Sequence, residues 1–287
     1  MQFQRKGMSV RKLLDKSFVF VCFFATLLGV VMLAFLLWGI AKEGIPRLNG
    51  AFFENFHSRF PQKAGIKAAL WGSIWVIVIT AVAAVPVGVA AAVFLEEFNQ
   101  RRNRVTEFIQ LNIANLAGVP SIVYGLLGLA VFVRMFDLGR SIIAGALTMS
   151  LLILPMLITV SQEALRAVPR SYREGSFALG ATPWQTIRRQ VLPAAASGIF
   201  TGIILSLSRA MGETAPLIVI GAVSYVAAVP KGPDDTFTVL PIQIFNWTFQ
   251  PQKGFHEAAA AAIIVLLAAL LTLNSIAIFL RYRTRIR

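Results

Sequence analysis

The sequence predicts an all-α polytopic membrane protein with six transmembrane helices and both termini in the cytoplasm. Composition is the first sign. Of 287 residues 57% are hydrophobic and only 14% charged, with a mean hydropathy of +0.72. A soluble domain of this size has no use for so much apolar surface, so the bilayer is the expected solvent. The second sign is a series of charge-free runs, each long enough to cross a bilayer as a helix of about 20 residues. The third is the placement of Lys and Arg. With six crossings, the N-terminus, the 96–107 loop, the 163–193 loop and the C-terminus share one side and hold most of these residues. Short basic loops stay in the cytoplasm, which sets the orientation.

The runs, in order, are Ser17–Ala41, Ala68–Leu95, Phe108–Val133, Ser141–Gln162, Gln190–Ser208 continuing as Thr214–Pro230, and Ala258–Leu280. The first is too long for a signal peptide and no small-residue cleavage site ends it, so it is expected to remain as a helix. Thr236–Gln252 is also uncharged, but prolines, glutamines and an asparagine interrupt it, which points to an extramembrane or re-entrant segment. Lys42–Lys67 and Lys231–His256 then lie outside, each long enough to fold as a small cap. The second contains Phe237, Phe245, Trp247 and Phe249, a candidate surface for an external partner or an interfacial aromatic belt.

Several functions are excluded early. The net charge of +14 is spread over the cytoplasmic ends and the terminal Arg281–Arg287, where it anchors the chain at an anionic lipid leaflet rather than on nucleic acid. Cys22 has no disulfide partner, and neither His57 nor His256 has metal-ligand spacing, so no metal and no other cofactor is expected. Gly175–Thr182 has a passing likeness to a phosphate-binding loop, but Ala181 stands where the lysine is required and no strand precedes it. Without that lysine the stretch cannot grip a nucleotide's phosphates, and the chain itself is expected to be non-catalytic.

The cytoplasmic stretch Arg173–Pro193 is unusually structured for a short loop. Gly180 suits a helix stop. Thr182, Pro183 and Gln185 then form a capping box with proline at the first helical position. Trp184, Ile187 and Val191 recur at helical spacing, an apolar stripe that would fill a groove on a partner or lie on lipid. Pro193 is expected to end this helix before the fifth span.

The spacing of Glu174, Gly180, Leu192 and Pro193 resembles the EAA signature of permease subunits of ABC importers, with Gly175 and Ser176 at the alanine positions and Gln190 at the isoleucine. The resemblance implies the type I importer permease fold. It also implies that the loop is a coupling helix docked on a cytoplasmic ATP-binding subunit dimer, through Glu174, Gly180, Thr182, Pro183, Trp184, Ile187, Leu192 and Pro193. The stretches Gly118–Leu129, Ser208–Ala222 and Ile244–Arg281 are similar to the PstA-type permease of the bacterial phosphate importer, a likeness running from about Lys67 to Arg283. That family implies inorganic phosphate as substrate, a PstC-type partner permease, a periplasmic phosphate-binding protein and the inner membrane. The expected organisation is a basic N-terminus at 1–16, a first helix and periplasmic segment at 17–66, a permease core at 67–283 with coupling loop 164–193 and periplasmic loop 231–256, and a basic tail at 284–287.

Arg209 and Glu213 lie near the middle of the fifth span, spaced i and i+4, so one helix face is expected to carry both. An arginine at a membrane helix centre costs about 2.5–3.5 kcal/mol on insertion scales and faces a cavity or a partner. A guanidinium binds phosphate through paired hydrogen bonds, which makes Arg209 the candidate guide for the anion and Glu213 its orienting partner. The resembling family has the same pair in its own version of Ser208–Pro216. Pro86, Pro120, Pro155 and Pro216 interrupt four spans as in helices that line a water-filled path. Gly198 and Gly202 allow close helix contact, either with a partner permease or within the chain. Other readings are an importer of another oxyanion such as sulfate or molybdate, an ion-coupled secondary transporter, or a membrane-embedded enzyme.

Overall fold

Helix α1, Phe3–Gly44, opens the chain in the computed structural model, which describes residues 3–98, 104–222, 226 and 228–285. The tip of the loop after residue 98, part of the run to Pro230 and the last two residues of the basic tail lie outside the described residues. The other helices are α2 Gly50–Glu54, α3 Lys67–Val93, α4 Arg104–Ala117, α5 Ser121–Gly128, α6 Ile142–Arg166, α7 Arg170–Ala178, α8 Pro183–Thr186, α9 Leu192–Gly212, α10 Ala215–Ile220, α11 Leu240–Thr248 and α12 Lys253–Arg285. Five helices are long and apolar enough to cross a membrane, and the pair α4–α5 makes a sixth crossing if counted together.

That pair corrects the expectation of one straight span over Phe108–Val133. The chain turns by 103° between α4 and the helix begun by α5. Gly118-Val119-Pro120 occupies the corner, where Pro120 takes an extended conformation and has no N–H to continue a helical ladder. The packing of α3 on α6 shows that the bent pair still crosses. Thr80 Oγ1 donates to the Ala146 carbonyl at 3.1 Å, Gly88 lies against Leu157, and Glu97 bonds Arg173 just beyond α6. These contacts advance in the same direction along both helices, so α3 and α6 are parallel. The chain leaving the end of α3 must return to the opposite face before α6 begins, and α4–α5 is its route.

Helix α9 runs back antiparallel to α6, with Gly198 against Ala164 and Gly202 against Val160. The small-residue pair therefore packs within the chain, the second of its two expected roles. Three buried clusters stack along the bundle. At the outer end, Phe52, Ile66, Leu240, Trp247 and Phe255 join the two external segments into a single cap. Val76, Ala84, Met149, Ile153 and Phe237 fill the middle, and Val93, Leu95, Leu165, Ile187 and Val191 fill the cytoplasmic end.

Aromatic residues of the 231–256 segment are split by this arrangement. Phe237 and Trp247 are fully buried, while Phe245 and Phe249 stay exposed with ring centroids 4.7 Å apart. The segment is therefore tucked into the bundle, and only half of its expected aromatic surface faces outward. Helix α1 differs from the rest. Its membrane stretch has no buried residue, and it packs along α12, most tightly at Gly44, which sits on Ala260 and Ile264.

Candidate functional site

Local sequence signals build the 170–193 segment largely as expected. Helix α7 ends at a turn where Gly180 adopts φ +80°, a conformation that costs any residue with a Cβ. Thr182 and Gln185 form the reciprocal capping box, with the Gln185 N–H donating to Thr182 Oγ1 at 3.3 Å and the Thr182 N–H donating to Gln185 Oε1 at 2.9 Å. Ser176 and Thr186 share a hydroxyl hydrogen bond at 2.9 Å that ties α7 to α8. The result is a compact helical hairpin.

Two details differ. Pro193 does not end the second helix, since one continuous helix runs from Pro183 to Gly212. A π-helical turn at Ile187–Val191 precedes the proline and widens the backbone where its ring would otherwise crowd the preceding carbonyls. The expected exposed stripe is also divided. Ile187 and Val191 are buried in the cytoplasmic cluster, because the helix rolls that face onto the ends of α3 and α6. Trp184 is 54% exposed and leans on Phe98 with ring centroids 6.4 Å apart, at one end of an apolar groove of about 570 Å³ between α3 and α9. The other large apolar side chains left exposed on the hairpin are Tyr172, Phe177 and Leu179, the last 90% exposed. Glu174 and Pro193 are exposed, Leu192 is half-buried, and a groove of about 630 Å³ bounded by Tyr172, Leu179, Gln185 and Arg189 opens on the same hairpin.

Sequence reasoning missed the residues that hold the hairpin. Arg173 Nε donates to Glu97 Oε2 at 3.0 Å, and its Nη atoms reach Glu97 Oε1, the Val168 carbonyl and the Leu165 carbonyl. Arg166 pairs with Glu96 through a single Nη2–Oε1 contact nearer solvent. The signal was Glu96-Glu97 at the end of a charge-free run, facing a loop that holds five arginines. The Glu97 hydrogen bonds raise the Arg173 pKa above its ordinary value, so the guanidinium stays charged despite its burial.

Deeper in the bundle, Arg209 and Glu213 do come together, but not on one helix. Helix α9 stops at Gly212, Glu213 is extended with φ −79° and ψ 133°, and α10 starts at Ala215 with Pro216. A glycine that ends one helix and a proline that starts the next, four residues on, are the signals of this break. Arg209 Nε lies 3.7 Å from Glu213 Oε1 across it, and Arg209 Nη1 approaches Met156 Sδ at 3.9 Å near the middle of α6. As the last basic residue of α9, Arg209 also meets the negative end of that helix. Its side chain is 51% exposed and Glu213 22%. One residue away, Ser208 donates to Asn274 Oδ1 of α12 at 3.1 Å, fixing α9 beside it. A half-exposed cation beside the middle of α6, set at a broken helix with an adjacent carboxylate, can receive an anion and release it again.

Comparison with known proteins agrees with this architecture. The family described as binding-protein-dependent transport system inner membrane component matches residues 84–286. The chain is 32% identical over 96% of its length to the phosphate transport system permease protein PstA 1 of Mycobacterium tuberculosis, covering 92% of that protein. It is 30% identical over 92% of its length to PstA of Pasteurella multocida, covering 93% of it. With the probable ABC transporter permease protein YqgI of Bacillus subtilis it shares 36% identity over 62% of this chain and 60% of that one, so the match spans less than two thirds of that relative. Among solved structures, a chain of the MetNI methionine ABC transporter in an inward-facing conformation superposes with a TM-score of 0.59 at 18% identity, covering 76% of this chain and 93% of that one. The α3–α6–α9 bundle, the broken α9–α10 helix and the α7–α8 hairpin are thus the type I ABC importer permease fold, and the chain belongs to the family of binding-protein-dependent transport system inner membrane components.

Proposed function

We propose that the chain is the transmembrane permease of an ATP-driven importer of inorganic phosphate in the bacterial inner membrane. It works with a PstC-type partner permease, a cytoplasmic ATPase dimer and a periplasmic phosphate-binding protein. The observation that carries the reading is the Arg209–Glu213 pair at the break between α9 and α10, 3.7 Å apart, with Arg209 beside Met156 near the middle of α6. The relatives named as phosphate permeases, which align with more than nine-tenths of the chain, support phosphate as the anion it serves.

In this reading Arg209 offers the passing phosphate paired N–H donors. Glu213 holds the guanidinium in place and tempers its grip, so that the anion is released on the other side. The α7–α8 hairpin is the coupling element. Gly180 makes its turn and Thr182, Pro183 and Gln185 preform its second helix. Glu174, Tyr172 and Leu179 face the ATPase, while Trp184, Ile187, Leu192 and Pro193 join the hairpin to α9. Hydrolysis of ATP takes place on the partner, and this subunit supplies path and linkage rather than chemistry.

Reconstituted complexes in vesicles provide the test. Loaded binding protein and internal ATP are expected to drive uptake of labelled phosphate that excess sulfate or molybdate does not suppress. Uptake of either competitor in place of phosphate would reassign the substrate to another oxyanion.

A further inference from the structure

Among the described residues, Arg173 ties its own helix to the ends of α3 and α6 with one side chain. It stands on α7, takes Glu97 from the π-helical turn Phe94–Phe98 that ends α3, and donates to the Leu165 and Val168 carbonyls where α6 gives way to the hairpin. Both partners are sequestered, with Arg173 side-chain exposure at 18% and Glu97 at 5%. The contrast with Arg166–Glu96 is informative: there the arginine is 52% exposed, so solvent screens the pair. A guanidinium held by two carboxylate oxygens and two carbonyls is fixed in direction as well as position. Phe98, one residue beyond Glu97, meets Trp184 of α8, so the end of α3 is held at a polar and an apolar point by the two arms of one hairpin.

Toward its other end α3 borders the carboxylate of the charge pair. Ser73, Val76 and Ile77 line a narrow cleft together with Met149, Met211 and Glu213. Ser73 Oγ accepts the Leu240 N–H at 2.9 Å, which fastens α11 to the same stretch. One helix thus has the buried ion pair at its cytoplasmic end and the surroundings of Glu213 near its outer end.

We propose that the Glu97–Arg173 pair is the strut through which displacement of the α7–α8 hairpin is passed into α3, and through α3 to the Arg209–Glu213 break. Both are positioning residues for the coupling step, and the proposal rests on the reading of that hairpin as the ATPase-facing element. The strut works because a bidentate, buried pair fixes direction as well as distance, whereas the apolar contacts around it are non-directional. The Leu165 and Val168 bonds make α6 and the hairpin move with it.

The test uses the complete complex with both permeases, the ATPase and the binding protein in vesicles, comparing wild type with Glu97→Gln, Arg173→Gln and the double variant. Three quantities are read: recovery of the ATPase with the permease, ATP hydrolysis stimulated by loaded binding protein, and phosphate moved per ATP hydrolysed. Recovery and hydrolysis are expected to persist in all variants. Phosphate per ATP is expected to fall by about fivefold or more in each single variant, the lower end of common coupling factors. The double variant is expected to be no worse than either single one, because the two residues act as a unit. A pair that only stabilises the fold would lower recovery and leave the ratio per assembled complex unchanged, and that result overturns the proposal.

A second readout does not depend on substrate. With Cys22 replaced by Ala, spin labels at Trp71→Cys on α3 and Lys253→Cys on α12 report ATP-driven movement of the outer end of α3. The distance change is expected in the wild-type background and reduced by at least half with Glu97→Gln, and an undiminished change refutes the strut. If wild-type complexes show the movement but carry no phosphate, the substrate assignment fails while the strut is still judged by the labels.

Discussion

The ring of Phe237 fills the hollow left on α6 by the absent side chain of Gly145, its tip occupying the place where a Cβ would project. Both residues are buried, and the contact draws the chain between α10 and α11 back into the bundle. Gly145→Val overpacks this site and is expected to cost about 1–3 kcal/mol. The check is thermal unfolding of the purified protein in detergent. Adding Phe237→Ala should recover part of the loss, since the two changes share one space, and strict additivity would contradict the contact.

Arg209→Gln is expected to leave the ATPase bound and to reduce phosphate uptake about tenfold or more, the scale of a lost charge-assisted hydrogen bond. Arg209→Lys should retain part of the uptake, because it keeps the charge but not the fork. Uptake into vesicles decides, and a Gln variant working at the normal rate removes Arg209 from the path.

Gly180→Val is expected to disturb the hairpin by about 1–2 kcal/mol through its left-handed turn, and Thr182→Ala by about 1 kcal/mol through the lost cap. Leu179→Glu leaves the fold alone and puts a charge on the most exposed apolar side chain of the hairpin. Under the docking reading it should reduce co-purification of the ATPase more than Trp184→Ala does, because Trp184 rests on Phe98. Equal losses would place the tryptophan in the docking surface after all.

The outer cap is expected to weaken in acid. Burial lowers the His57 pKa below its usual 6.5. The indole N–H of Trp247 donates to His57 Nδ1 at 3.2 Å, and since an indole only donates, that nitrogen carries no proton. The folded cap therefore favours the neutral ring. Its stabilisation is complete above pH 6.5 and declines as pH falls from there toward the lower native value. Melting temperatures measured across that window should drop on acidification, and His57→Gln should flatten the dependence.

Much of this molecule was legible in its sequence. Charge-free runs give the crossings, and capping residues around Gly180 and Thr182 give the hairpin, because these signals act within one turn of chain. What escaped depends on contacts between distant segments. The helical period of Trp184, Ile187 and Val191 is real, but which residues of that face are covered was decided by α3 and α6. The spacing of Arg209 and Glu213 suggested one continuous helix, whereas Gly212 and Pro216 break it and the pair forms across the gap. Glu97 and Arg173 are 76 positions apart, and no local pattern joins them.

The parallel packing of α3 and α6 has a consequence for how the chain is made. Synthesis delivers α3 well before its partner, with the bent pair α4–α5 in between. Insertion and packing are therefore separate events: α3 waits in lipid with the surface around Gly88 uncovered until Leu157 arrives to close it. The last helices then complete the outer end, where Phe255 and Ala258 meet residues from the first quarter of the chain. A ribosome halted after α5 would leave correctly threaded segments with no interior, and the nascent protein becomes a bundle only when most of it has been translated.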